Sequence, residues 1–211
     1  MQQSKPFTVR PMESRDIPAV AVIDRLSFPN PWSVSSYAQE LSNKRRSFYY
    51  VVLKPAEENA PGSGEWRRWL RGLVGQQSDS RVIGYVGFRL QNQDTEAHIS
   101  TLAVHPDWRR KGLGELLLML ALEQALSLRV DVVSLEVRAS NQVAQQLYRK
   151  YGFHFKGVMK AYYLDGEDAW MMAVEVGQEA YRRRLLALRQ ALEARLPFQQ
   201  VGVGQNDGDR L

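Results

Sequence analysis

The residues with the clearest chemical potential in this 211-residue chain are Arg109-Arg110-Lys111-Gly112-Leu113-Gly114, which lie where an apolar run gives way to a long helical pattern. A helix start exposes backbone N–H groups and the positive end of the helix dipole, so it attracts anions. Gly112 and Gly114 lack a Cβ and let a ligand come close to the main chain, while Arg109, Arg110 and Lys111 add charge beside it. Phosphate is the natural guest of such a turn. The same residues would also suit a plain capped helix with a solvated basic turn, so the surroundings must decide.

Composition narrows the chemistry further. With no cysteine there is no thiolate nucleophile, disulfide framework or cysteine metal site. His98, His105 and His154 are scattered without ligand spacing, so no metal is expected and each histidine reads as ordinary surface or core. A hydrophobic content of 44% suits one main domain. The net charge of +5 and pI near 9.5 favour acidic partners such as phosphates, nucleotides or RNA-rich surfaces. The first residues lack an apolar signal core, and no stretch reaches the ~20 apolar residues of a membrane span. A soluble, cytoplasmic protein without a membrane partner is the expectation.

The elements that must position the turn follow from periodicity. A strand over 7–10 leads to a helix capped by Ser14, with Ile17, Val20, Ile23 and Leu26 on one side. Pro29 and Pro31 interrupt the pattern, and Ser33 caps a second helix with Val34, Tyr37 and Leu41 on one face. Ser47–Leu53 reads as a strand. Residues 54–81 form an insertion, in which Trp66, Trp69, Leu70, Leu73 and Val74 suggest a short amphipathic helix. Strands follow over Arg81–Leu90 and Ala97–Val104. A helix from near Gly112 carries a stripe of Leu116, Leu117, Leu120, Ala121 and Ala125, and Asp131–Arg138 is a nearly continuous apolar strand suited to a sheet centre. Ser140 caps a helix over Asn141–Tyr151, which ends at Gly152. Two strands joined by a turn at Asp165-Gly166 complete the sheet, and a charged helix runs from Gly177 to about Leu196 before a fraying tail.

In this context the chain resembles the GNAT superfamily of acyl-CoA-dependent N-acetyltransferases. Arg109 to Gly114 matches its Arg/Gln-x-x-Gly-x-Gly/Ala motif. Several local strings look like the ribosomal-protein alanine N-acetyltransferases of the RimI type: "PWS" (Pro31 to Ser33), "LAVHPDWRRKGLG", "LEVRASN" with "LYRKYGF", and "YYLDGEDAWMMAV". The match covers roughly residues 7 to 176 without the insertion, so the chain divides into an acetyltransferase domain over 1–176 and a helical extension with its tail over 177–211.

The resemblance implies an α/β GNAT fold, a mixed central sheet splayed at the acetyl-CoA site and flanked by helices. By the same resemblance, the backbone of Leu102, Ala103 and Val104 pairs with the pantetheine arm, with an amide near Val104 polarising the carbonyl. The turn Arg109, Arg110, Lys111, Gly112, Leu113, Gly114 and Glu115 wraps the pyrophosphate, and Asn141 contacts the same co-substrate. Glu136 becomes the general base for an α-amine of pKa about 7.7–8.0, and Tyr148 the acid that meets the departing thiolate and also touches the donor. Trp32, Tyr162 and Tyr163 line the peptide side, with Ala161 where the family has Asn. Read without the family, Glu136 would pair with Arg138 or Lys150, and Tyr148 would be core. With no activated nucleophile in sight, direct transfer is expected. The implied acceptor is the N-terminal alanine of a small-subunit ribosomal protein, so nucleic acid enters at most indirectly. A small-molecule amine, a wider set of protein N-termini, or a non-catalytic CoA-sensing or RNA-binding role are the alternatives.

Overall fold

A computed structural model describes residues 6–55 and 81–202; the amphipathic helix expected between Trp66 and Val74 lies outside them. The described strands are β1 (Phe7–Pro11), β2 (Ser47–Leu53), β3 (Val82–Gln91), β4 (Glu96–Val104), β5 (Val132–Arg138), β6 (His154–Met159), β7 (Ala169–Glu175) and β8 (Phe198–Gln200). They form one mixed sheet in the order β6-β7-β5-β4-β3-β2-β1-β8. The helices are α1 (Ile17–Ser27), α2 (Val34–Ser42), α3 (Leu113–Ser127), α4 (Gln142–Lys150) and α5 (Glu179–Glu193).

Alternation along the strands divides the core between two faces. Tyr50, Val52 and Val86 point to α3 and α4, whereas Tyr49, Val51 and Tyr85 point to α1 and α2. On the second face Asp24 is buried with Tyr85, whose hydroxyl it accepts, and it also accepts the Trp32 N–H at 2.6 Å. A buried carboxylate is tolerated because these donors satisfy it.

The stripe expected on α3 is too narrow. Leu118, Met119 and Leu122 are fully buried as well, because α5 crosses the side of α3 away from the sheet and brings Leu185, Leu192 and Leu196 into the same core. A helix apolar all round needs cover on both sides.

Ser33 caps α2, accepting the Ser36 N–H at 3.0 Å. Ser14 does not cap α1. It lies in a 3-10 turn (Ser14–Asp16) fastened by a reciprocal box between Glu13 and Asp16, and Asp16 is the residue that precedes α1. The reason is the buried Asp16 carboxylate, which takes both Arg10 guanidinium nitrogens at 2.6 and 2.8 Å. Ser140 likewise yields its expected capping role to Asn141, whose Oδ1 accepts the Ala144 N–H at 3.1 Å. Gly152 ends α4 with φ +88° as expected. The β6–β7 connection turns at Asp165-Gly166 as expected, with Gly166 N–H donating to Tyr163 O at 2.8 Å, but it is longer than a tight hairpin and spans Lys160 to Asp168, with Gly166 (φ +82°) and Ala161 (φ +48°) in left-handed conformations. Beyond α5, β8 pairs in parallel with β1, an element the sequence pattern did not suggest.

Candidate active site

The site begins where two strands part. β4 and β5 pair in parallel from Glu96↔Val132 to Ile99↔Leu135, and there the pairing stops. β4 continues along β3 to Val104, and β5 continues along β7 to Arg138. The divergence coincides with a bulge: the β3–β4 register shifts between Gly87, opposite Thr101, and Phe88, opposite Ile99, which leaves Ser100 as the extra residue. A bulge bends its strand and raises its twist, so β4 swings away from β5 at this point. The edge of Thr101 to Val104 that faces β5 therefore has no strand on it. Such an edge suits an extended, amide-bearing ligand.

The glycine turn stands at the end of that edge. Gly112 precedes α3 with φ +84°, a backbone that favours glycine, and the first bond into the helix is Leu116 N–H to Gly112 O at 3.0 Å. Among the described residues, the N–H groups of Gly112, Leu113, Gly114 and Glu115 have no hydrogen-bond acceptor. Gly114 has ordinary helical geometry, and a Cβ there would meet only Leu102 Cδ2 at 3.9 Å and Leu147 Cδ2 at 4.0 Å. The chain itself leaves room for a side chain at Gly114, so its glycine fits a turn whose open amides receive something from outside. Those neighbours, on β4 and α4, place this opening at the splay.

The charged side chains of the turn do not all face outward. Arg109 reaches inward, donating from Nε to Val104 O and from Nη2 to Ser27 Oγ, both at 3.0 Å. Lys111 Nζ lies 4.4 Å from the Trp108 ring centroid. Arg110, at φ +60°, is exposed, and Leu113 is core. Glu115 turns towards α4 and the C-terminal segment, accepting Lys150 Nζ at 2.6 Å, Tyr151 Oη at 3.2 Å and Arg195 Nη2. Partial burial opposes ionisation of Glu115, but its hydrogen bonds to Lys150 and Arg195 outweigh burial and hold its carboxyl below the ordinary value. The Oδ1 of Asn141 is occupied as the α4 cap.

Beside the parted strands lies a cleft of about 440 Å³ lined by Glu96, His98, Ser134, Glu136, Lys156 and Tyr162, with Met171 among its walls. Neither sequence-suggested partner holds Glu136: Arg138 joins Asp165 and Glu167 at 2.8 and 2.6 Å, and Lys150 joins Glu115. Instead His98 Nε2 sits 3.2 Å from Glu136 Oε2, His98 Nδ1 sits 3.3 Å from Ser134 Oγ, and Ser134 donates to Glu96. Four polar groups thus run in file across β4 and β5. His98 is the residue that composition alone leaves unremarked. Alternation puts Glu96 and His98 on one face of β4, and Ser134 and Glu136 on one face of β5, but their meeting depends on the His98↔Ser134 register.

Tyr162 and Tyr163 lie near Glu136, and Tyr148 lies near Tyr163. Tyr162 and Tyr163 meet edge to face at 5.1 Å, and the Arg138 guanidinium covers Tyr163 at 4.0 Å. Burial, with Glu136 adding to it, raises the Tyr162 pKa. Burial pushes Tyr163 up to about 12 against the pull of Arg138, and burial with the nearby Tyr163 pushes Tyr148 to about 12. Trp32 stands apart from the cleft lining, packed on Tyr37 at 5.5 Å.

A model of the acetyltransferase (GNAT) family matches residues 18–153, a span that holds the splay, the glycine turn, Glu136 and Tyr148. The chain belongs to the GNAT acetyltransferase family. It is 33% identical over 171 residues to a putative ribosomal protein bS18-alanine N-acetyltransferase of Bacillus subtilis, covering 81% of this chain and 96% of that one. An N-alpha-acetyltransferase of Saccharolobus solfataricus is 27% identical over 182 residues, covering 81% and 94%. The crystal structure of the ribosomal-protein-S18-alanine N-acetyltransferase from Escherichia coli superposes with a TM-score of 0.62 at 26% identity, covering 82% of this chain and 95% of that one. The GNAT chain is thus an N-acetyltransferase with the mixed, splayed sheet that its sequence led us to expect. Among the described residues no helix is long and apolar enough to cross a membrane, and no group of three or more histidine or carboxylate side chains converges as a metal site would require.

Proposed function

We propose that this enzyme transfers the acetyl group of acetyl-CoA directly to the N-terminal α-amine of a protein, with alanine as the first residue and a small-subunit ribosomal protein as acceptor. The observation that carries this reading is the end of β4–β5 pairing at Ile99↔Leu135, which leaves Thr101 to Val104 as a free strand edge leading to the open-amide turn, while the cleft that holds Glu136 lies against the paired part of the same two strands. The acceptor's identity is supported by the names of the B. subtilis and E. coli relatives. The reaction then belongs in the cytoplasm, where ribosomal proteins are made.

Acetyl-CoA supplies a thioester carbonyl open to attack by an amine. The free edge of Leu102 to Val104 holds its amide-bearing arm, and the amides from Gly112 to Glu115 hold its diphosphate. An α-amine with pKa of about 7.7–8.0 is mostly protonated at neutral pH, and Glu136 accepts the proton that must leave. His98 orients that carboxylate, and Ser134 and Glu96 continue the file of proton-exchanging groups. At a pKa of about 12 the Tyr148 hydroxyl stays protonated. The thiolate of a thiol with pKa about 8.5 is a weaker base than the Tyr148 phenolate, so Tyr148 donates a hydrogen bond to the departing thiolate and keeps its own proton. Tyr162, Tyr163 and Trp32 form the peptide side, and Asn141 adds its amide nitrogen to the donor side.

A peptide panel varied at its first residue, assayed beside polyamines and aminoglycosides, tests the assignment. Peptides starting with Ala should give the highest kcat/KM; preference for the free small amines overturns it. A flat profile across first residues would favour a wider set of protein N-termini.

A further inference from the structure

We infer that Arg195, from the segment that follows α5, binds the diphosphate of acetyl-CoA, so that the C-terminal extension completes the donor site. This rests on the acetyl-CoA reading above. Three observations lead to it.

The first is position. Arg195 Nη1 lies 3.3 Å from where a Cβ on Gly112 would be, at the residue that opens the turn of unpaired amides. The second is valence. Arg195 Nη2 is taken by Glu115, but Nη1 has no acceptor among the described residues, and the side chain is 48% exposed. Glu115 is also bonded to Lys150, so one carboxylate faces two cations and the cluster keeps one positive charge in excess. A guanidinium fork with one arm anchored and one free is suited to a phosphate oxygen. The third is that two of the cations expected to serve the turn are committed elsewhere: Arg109 to Val104 and Ser27, Lys111 to Trp108.

The placement of Arg195 is also rigid. Leu192 and Leu196 on either side are buried, and Arg189 ties α5 to Glu123 of α3 at 2.9 Å. The guanidinium is held before any ligand arrives, which limits the ordering cost of binding.

The test compares two variants of the full chain that each remove one cation from the Glu115 carboxylate. Arg195→Gln removes the proposed phosphate ligand; Lys150→Gln removes the same charge from the same cluster but leaves the guanidinium in place. By calorimetry, Arg195→Gln should weaken CoA binding about tenfold and 3′-dephospho-CoA binding by the same factor. Lys150→Gln should change CoA binding much less, and Arg195→Lys should recover part of the loss. Thermal melts confirm that each variant is folded. Equal losses in Arg195→Gln and Lys150→Gln would make the effect one of general charge or clamping and overturn the assignment. So would unchanged affinity in Arg195→Gln, or a loss that disappears with 3′-dephospho-CoA and so belongs to the 3′-phosphate. Wild-type protein that fails to bind CoA would instead remove the underlying reading of the turn.

Discussion

The donor side and the acceptor side proposed for this site are built by different means. The donor side is mostly main chain: a strand edge from Thr101 to Val104 and the open amides at the start of α3, contiguous in sequence and separated by one short turn. The acceptor side is side chains: His98 from β4, Ser134 and Glu136 from β5, Lys156 from β6, and the tyrosine pair from the β6–β7 connection. Main-chain groups are supplied whatever the residue, so their site tolerates substitution wherever conformation and space allow. A side-chain site loses its function with one atom. The two halves should therefore fail differently when altered.

Glu136→Gln should break the acceptor side most completely, lowering kcat by about 10²–10⁴ while acetyl-CoA affinity stays near that of the wild type. Steady-state kinetics alongside calorimetry checks this, and a matching loss of affinity would erase the distinction between the halves. Gly114→Ala is the mirror experiment: it should weaken CoA binding about tenfold with an unchanged melting temperature, because the chain leaves space for a Cβ there. Gly112→Val would be less informative, since φ +84° strains any β-branched residue and stability would fall too. Tyr148→Phe should reduce kcat about tenfold to a hundredfold with little effect on peptide KM, measured with an Ala-starting peptide.

The smallest expected effect concerns pH and the loop beneath the acceptor cleft. Glu167 accepts Ser140 N–H and Arg138, and these bonds lower its pKa to about 2; the bonds from Lys160 and from Ala161 N–H lower that of Asp168. A carboxyl with a depressed folded-state pKa contributes stability that is full above its unfolded value, about 4, and fades as pH falls towards the folded value. Amide protection across Lys160–Asp168, taken relative to the intrinsic exchange rate at each pH, should therefore fall between about pH 4 and pH 2. The amides of β4, whose bonds involve no carboxylate, should respond less. Equal responses would show that the loop is not held by these groups.

What could be read in advance follows the same division. Ser33, Gly112 and Gly152 act within a few residues of themselves, and their capping or left-handed roles stand as expected. Ser14 and Ser140 fail as caps because stronger acceptors lie close by, Glu13 and Asp16 in one case and Asn141 in the other; a local rule cannot rank such neighbours once Arg10 has drawn Asp16 into the core. The α3 stripe was read too narrowly because its cover, α5, arrives from the far end of the chain. His98 passed as an ordinary residue because a strand's alternation says which side chains share a face, and not which strand lies next to it.

By itself the sequence determined the order of helices and strands as far as α5, the glycine-bearing helix start, and the resemblance that attaches an acyl donor to it, because each is written in residues a few positions apart. Only the tertiary structure decided where β4 and β5 separate, which partner Glu136 keeps, and that Arg195 stands beside Gly112. Those relations depend on strand register and on helices crossing over one another, and they join residues as far as 83 positions apart, the separation of Gly112 and Arg195. Close packing, rather than any local preference, selects among the many pairings such distances allow.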